Sequence, residues 1–128
     1  MRFEEPEWLI VERRLGKRRQ RRGRYVSINR RGEIALNDEA WSAIRRAYNV
    51  TLLWNPRQRV IGVKFPRAVD RNFFPTRGYG RDRKMRVVRA GRLLKQCGLV
   101  INETLRFPNT EVVMMGDEPM LVLRISDE

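Results

Sequence analysis

The sequence predicts a small α+β domain built from antiparallel β-hairpins and two short helices. Several short stretches alternate apolar with polar residues, turn-forming residues stand between them, and two stretches have apolar residues at helical spacing. A strand–helix–strand–strand order occurs twice, at roughly 40 residues each, which leaves open a β-α-β-β pseudo-repeat. With 128 residues, 41% of them hydrophobic, the chain can build one modest core.

Residues 1–24 are interpreted as an N-terminal strand followed by a basic arm. The apolar run Trp8–Val11 predicts the strand. The basic segment after it contains Gly16 and Gly23 and has no apolar periodicity, so it is predicted to be an exposed loop or a flexible arm.

Residues 25–66 are interpreted as a unit of two hairpins joined by a helix. Every second residue is apolar in both 25–29 and 33–37, and the turn between them ends in Gly32, which can take a positive φ. This pattern predicts a β-hairpin.

A helix is predicted to start at Asn37, because this capping residue precedes two acidic residues. Trp41, Ile44 and Tyr48 then fall on one helix face. A second hairpin is predicted within residues 50–63.

The remaining chain is interpreted as a loop and a second unit. Residues 67–83 are rich in proline, glycine and arginine and are predicted to be a long basic loop. Residues 84–128 are predicted to form a short strand, a helix over 90–97 and a final hairpin over 111–125.

The stretch 26–37, which reads VSINRRGEIALN, resembles the core signature of the SpoVT/AbrB family of swapped-hairpin transition-state regulators and antitoxins. The resemblance covers about residues 25–66 and implies a small barrel made by two interlocked copies, and therefore a homodimer. If the two halves of the chain are true repeats, a pseudo-dimer within one chain is the alternative. The resemblance also implies DNA binding by Arg30 and Arg31 at the hairpin turn, with Arg24 leading into it.

The positive charge is concentrated in two stretches. The chain has 28 Lys and Arg against 15 Asp and Glu, a net charge of +13. Residues 11–24 hold eight basic residues and one acid, a net of +7, and residues 64–95 hold eleven and two, a net of +9. Such clusters neutralise phosphates, which predicts a nucleic-acid partner. The predicted binding residues are Arg13, Arg14, Lys17, Arg18, Arg19, Arg21, Arg22, Arg24, Arg30, Arg31, Arg77, Tyr79, Arg81, Arg83 and Lys84.

These residues are expected to have different roles. The arm is predicted to neutralise phosphates, the turn at Arg30 and Arg31 to read bases, and Tyr79 to stack on a base. The first hypothesis is a DNA-binding transcriptional regulator or nucleoid-type factor in the cytoplasm. Two alternatives stay open, an RNA- or ribonucleoprotein-binding protein and a protein-interaction adaptor, the second suggested by the acidic and apolar stretch 99–128.

The composition argues against catalysis. The chain has no histidine, which removes the commonest general base and metal ligand, and Cys97 is its single cysteine. We therefore expect a protein that is not an enzyme and uses no cofactor or metal. The sequence shows no apolar run of membrane-spanning length and no signal-peptide pattern, so no membrane association is expected.

Overall fold

The computed structural model describes residues 23–125 of the chain. Within that range the strands are β1 (Tyr25–Ile28), β2 (Glu33–Leu36), β3 (Asn49–Asn55), β4 (Val60–Lys64), β5 (Phe74–Tyr79), β6 (Met85–Arg89), β7 (Leu105–Pro108), β8 (Glu111–Met115) and β9 (Glu118–Arg124). The helices in the same range are α1 (Asp38–Ala43) and α2 (Gly91–Gln96).

All nine strands of residues 23–125 belong to one sheet that curves into a half-barrel. Their order across the sheet is β7-β1-β2-β6-β5-β3-β4-β9-β8, and every neighbouring pair is antiparallel. Strands β5 and β6 stand between β2 and β3, so strands from both halves of the chain alternate within the sheet.

The predicted α+β class, with its β-α-β-β pseudo-repeat of swapped-hairpin type, is therefore wrong, and the fold is mainly β. The two helices described are six residues each, too short to form a layer of their own. Alternation of apolar residues shows which face of a strand is buried, but it does not show which strands become neighbours.

The core lies on the sheet face that carries α1. Alternate residues of β1 and β2 point to that face, where they form the core with residues of α1, β4, β6 and β9. The fully buried side chains of the core include Val26, Ile28, Ile34, Leu36, Ile44, Val50, Val63, Val88, Leu121 and Leu123. We call the sheet face that carries α1 the core face, and the opposite sheet face the outer face.

Helix α1 begins as predicted and ends earlier. The side chain of Asn37 accepts a hydrogen bond from the backbone N–H of Ala40 at 2.9 Å, which confirms the cap. Arg45 and Arg46 have φ values of 60° and 50°, and this left-handed backbone stops the helix. Tyr48 is consequently 72% exposed, so the prediction that it shares the buried helix face is wrong.

Strand β5 lies inside the stretch predicted to be a loop, so that prediction is wrong for residues 74–79. Pro75 and Gly78, which suggested a loop, are strand residues here. Thr76 and its partner Val88 are both buried where β5 pairs with β6, and the Thr76 hydroxyl donates to the carbonyl of Ala47 at 3.1 Å. Burial of Thr76 on the core face is the tertiary contact that stabilises the strand.

The connection before β5 is ordered by a buried ion pair. The Lys64 ammonium donates to a carboxylate oxygen of Asp70 at 2.8 Å, and the Arg67 backbone N–H donates to the same oxygen at 2.7 Å. These two donors, with the Arg67 N–H contributing most, lower the pKa of Asp70. Asn72 then pairs with Leu52, donating to its carbonyl and accepting from its N–H, and this extends the edge of β3.

The other hairpins and the second helix predicted within residues 23–125 are confirmed, whereas the predicted strand at Trp8–Val11 lies outside the described residues. The first hairpin forms β1 and β2, the second forms β3 and β4, and the last forms β8 and β9. Helix α2 ends as expected, with Gly98 at φ +77°. In the part of the chain described, no helix is both long and apolar enough to cross a membrane.

Candidate functional site

The outer face of the sheet carries a groove of about 420 Å³. It is lined by residues of β1, β2, β5 and β6 whose neighbours along each strand point to the core face. Ser27, Ala35 and Val87 are in register across β1, β2 and β6 and form its floor. Because these side chains are small, a bound group can come close to the sheet.

Three arginines line the groove from separate elements. Arg77 in β5 is in register with Val87 of the floor, and Arg89 stands at the end of β6 opposite Glu33. Arg31 comes from the β1–β2 turn, and its side chain is 81% exposed. Glu33 also lines the groove, where its Oε1 lies 3.4 Å from a terminal nitrogen of Arg31. The groove therefore keeps an excess of positive charge.

The β1–β2 turn fixes the backbone position of Arg31. The side-chain oxygen of Asn29 accepts from the Arg31 backbone N–H at 3.0 Å, and Gly32 takes φ +82°. The backbone N–H of Ala90 donates to the Gly32 carbonyl at 3.0 Å. A Cβ on Gly32 would lie 2.5 Å from the Cα of Gly91, so the turn packs directly against the start of α2.

Tyr79 borders the groove at the end of β5. It is in register with Met85 and is 68% exposed, a large fraction for an aromatic side chain. An exposed ring next to arginines can stack on a flat aromatic ligand such as a nucleobase.

The structure brings together three of the predicted binding residues, Arg31, Arg77 and Tyr79. Arg30 is exposed on the same turn but does not line this groove; it lines two depressions beside α2 and Thr104, which Arg31 also borders. Of the two turn arginines, only Arg31 thus borders the groove.

The other predicted residues of the β5–β6 turn lie apart from the groove. Arg81 and Lys84 are exposed in the turn. Arg83 packs its side-chain stem against Gly78, since a Cβ on that glycine would lie 3.0 Å from the Cδ of Arg83.

Arg24 has a structural contact. Its Nε donates to the carbonyl of Thr110 at 2.7 Å, and the Thr110 N–H donates back to the Arg24 carbonyl at 3.1 Å. Arg24 thereby joins the start of β1 to the β7–β8 turn. The other arm residues predicted to bind lie outside the described residues: Arg13, Arg14, Lys17, Arg18, Arg19, Arg21 and Arg22.

The sequence prediction misses two arginines of the outer face, Arg89 and Arg106. Arg89 lines the groove, and Arg106 of β7 is in register with Ser27. The alternation of β6 gave a signal for Arg89, because Val87 and Arg89 point to one face. Arg86 points to the core face, where its guanidinium lies 4.4 Å from the ring centroid of Trp41.

The outer face of the other half of the sheet has different chemistry. A second groove, of about 460 Å³, is lined mainly by apolar residues of β3, β4, β8 and β9, including Leu53, Met115 and Met120. Its basic residue, Arg124, lies 3.2 Å from a carboxylate oxygen of Glu111. Among the described residues, the groove on the half that contains β5 and β6 is therefore lined by more basic residues than this second groove.

The described residues give no indication of a metal site or a reactive thiol. Between residues 23 and 125, no three His, Cys, Asp or Glu side chains are grouped to hold a metal ion. Cys97 is half-buried, and burial raises the pKa of its thiol, which disfavours the reactive thiolate.

Comparison with known proteins identifies no relative of this chain. No family model, no curated protein and no solved structure matches it. The resemblance of residues 25–66 to the SpoVT/AbrB family stays a prediction, and the proposals below depend on the geometry of the chain itself.

Proposed function

We propose that this protein binds nucleic acid on the outer face of its sheet, in the groove lined by Arg31, Arg77 and Arg89. The observation that carries the proposal is the convergence of three arginines from separate elements on one floor of small side chains. A guanidinium group pairs with phosphate oxygens through two parallel hydrogen bonds. Several of them along one groove suit a chain of phosphates better than a single small anion.

The distribution of charge supports the same partner. The net charge of +13 would favour association with a polyanion, and the stretch 64–95 contributes Arg77 and Arg89 to the groove. The predicted arm, residues 13–24, would add contacts that depend on phosphate charge and not on base sequence.

The proposal is tested by fluorescence anisotropy with labelled DNA and RNA at salt concentrations from about 50 to 300 mM. We expect tight binding at low salt and a steep decrease in log affinity with log salt. The double variant Arg77→Gln/Arg89→Gln should bind at least about tenfold more weakly, and its salt slope should be smaller by about two. Absence of binding to any of these nucleic acids at 50 mM salt would refute the proposal.

The matched control removes the same charge elsewhere. Arg57 lies in the β3–β4 turn and Arg92 on α2, and both are exposed and outside the groove. The variant Arg57→Gln/Arg92→Gln should change affinity about threefold or less, because only long-range attraction is reduced. Equal losses in both double variants would mean that net charge, and not the groove, determines binding.

The nucleic acid that the protein prefers distinguishes a transcriptional regulator, a nucleoid-type factor and an RNA-binding protein. A strong preference among duplex DNA sequences would favour a transcriptional regulator, and uniform binding to duplex DNA would favour a nucleoid-type factor. Tighter binding to RNA would favour the ribonucleoprotein alternative.

A further inference from the structure

The arginine groove lies on a broad sheet surface with further strands on both sides, and this position restricts the kind of nucleic acid that can enter it. Four of the strands line the groove, and β7 continues the sheet on one side. Neighbouring strands are about 4.8 Å apart, so the five strands from β7 to β5 span about 19 Å. The major groove of B-DNA is only about 12 Å wide and accepts a helix or a two-stranded ribbon.

A duplex therefore cannot bring its base edges to the floor of this groove. Ser27, Ala35 and Val87 lie on inner strands with paired neighbours on both sides, and the surrounding sheet would meet the phosphate backbones first. An unpaired strand has no such barrier, because its bases are free to turn toward a protein surface.

The side chains around the floor suit one unpaired nucleotide. Register places Arg106 and Arg77 at opposite ends of the row of small side chains. Tyr79 follows Arg77 by two residues on the same face, where its ring is 68% exposed. A volume of about 420 Å³ falls within the range of sites that hold small aromatic ligands.

From these observations we infer that the groove holds an unpaired nucleotide of a single strand, with its base stacked on Tyr79 and its flanking phosphates on the arginines. This inference depends on the proposed function, since it specifies the nucleic acid that the same groove binds. Single-stranded DNA and single-stranded RNA share the required chemistry.

The test compares equal-length oligonucleotides at one salt concentration: single-stranded DNA, single-stranded RNA and duplex DNA. We expect the full-length protein to bind at least one single strand ten or more times more tightly than the duplex. The better of the two single strands identifies the natural source. Duplex affinity equal to or higher than both single-strand affinities overturns the inference and leaves the proposed function intact, whereas no binding to any probe refutes both.

Tyr79 provides the site-specific readout. Tyr79→Leu should weaken single-strand binding by about 5- to 150-fold, the loss typical of one stacked base, and should leave duplex binding within about twofold. Tyr79→Phe should retain affinity because it keeps the ring. Tyr48 is similarly exposed, at 72%, but its ring meets Trp41 edge to face and it does not line the groove, so Tyr48→Leu is the matched control and should not change affinity.

A fluorescent base reports stacking independently of affinity. An oligonucleotide carrying 2-aminopurine should lose fluorescence when the wild type binds and should keep it with Tyr79→Leu at saturating protein. Circular dichroism verifies that each variant is folded. Unchanged single-strand affinity in a folded Tyr79→Leu protein would overturn the inference.

Discussion

Replacing Gly32 with alanine should destabilise the protein more than replacing Gly98, although the two glycines have nearly the same backbone conformation. Their φ values are +82° and +77°. Alanine costs about 1–2 kcal/mol in this left-handed region. Nothing lies within 4 Å of a Cβ on Gly98, so we expect only that cost for Gly98→Ala.

Gly32→Ala destabilises the protein for a second reason, because the β1–β2 turn packs against α2. A Cβ there would lie 2.5 Å from the Cα of Gly91, whereas ordinary contact begins at 3.4 Å, so the two backbones must separate by about 0.9 Å. Overpacking of this kind typically adds about 1–3 kcal/mol, which gives a total of about 2–5 kcal/mol for Gly32→Ala.

Urea denaturation of the two variants and the wild type measures this difference in the free energy of unfolding. We expect Gly32→Ala to be the less stable of the two by at least about 1 kcal/mol. Because both substitutions remove the same backbone freedom from the unfolded chain, that contribution cancels in the comparison. Equal destabilisation would refute the packing of the turn on α2, and with it the fixed position of Arg31.

Two further predictions concern partly buried charges. The pKa of Asp70 lies below its ordinary value of 3.8, because the Arg67 backbone N–H and the Lys64 ammonium stabilise the carboxylate. The ionised Asp70 therefore stabilises the folded state at any pH above its unfolded pKa. This contribution is lost as the pH decreases through the lower pKa of the folded state. Thermal melts should show Asp70→Asn below the wild type at pH 7, with a gap that narrows below about pH 4; a constant gap would contradict this assignment. Arg86→Lys should cost about 1–2 kcal/mol in urea denaturation, because it loses the stacking on Trp41 and the guanidinium hydrogen bonds to the hydroxyl and carbonyl of Thr76. Anisotropy should show no change in nucleic-acid affinity, since this side chain lies on the core face.

The parts of the fold that could be predicted depend on residues close together in the sequence. The first hairpin and the cap at Asn37 were predictable because alternation, a turn glycine and a capping side chain act within a few residues. The early end of α1 was not, because arginines give no sequence signal for the left-handed backbone at 45 and 46. Strand β5 was hidden by its proline and glycine, and the buried contact of Thr76 overrides those local signals.

The sequence indicated most of the residues of the candidate site, but it did not indicate that they lie together in the fold. The resemblance of the first hairpin to the SpoVT/AbrB family indicated Arg31, the charge cluster over 64–95 indicated Arg77, and the flanking glycines drew attention to Tyr79. Their convergence depends on the insertion of β5 and β6 beside β2, a pairing between distant parts of the chain that local patterns do not encode. The same pairing brings in Arg89, the last residue of β6, which alternates with Val88 and therefore points to the outer face.

Photo-crosslinking tests the location of the binding surface most directly. A single-stranded oligonucleotide carrying 5-iodouracil, which crosslinks to nearby aromatic side chains, is irradiated with the full-length protein, and the modified peptides are identified by mass spectrometry. The proposed groove predicts a crosslink at Tyr79, lost in Tyr79→Leu and weakened in Arg77→Gln/Arg89→Gln. Crosslinks confined to Tyr48, or to the apolar face formed by β8 and β9, would contradict the proposal.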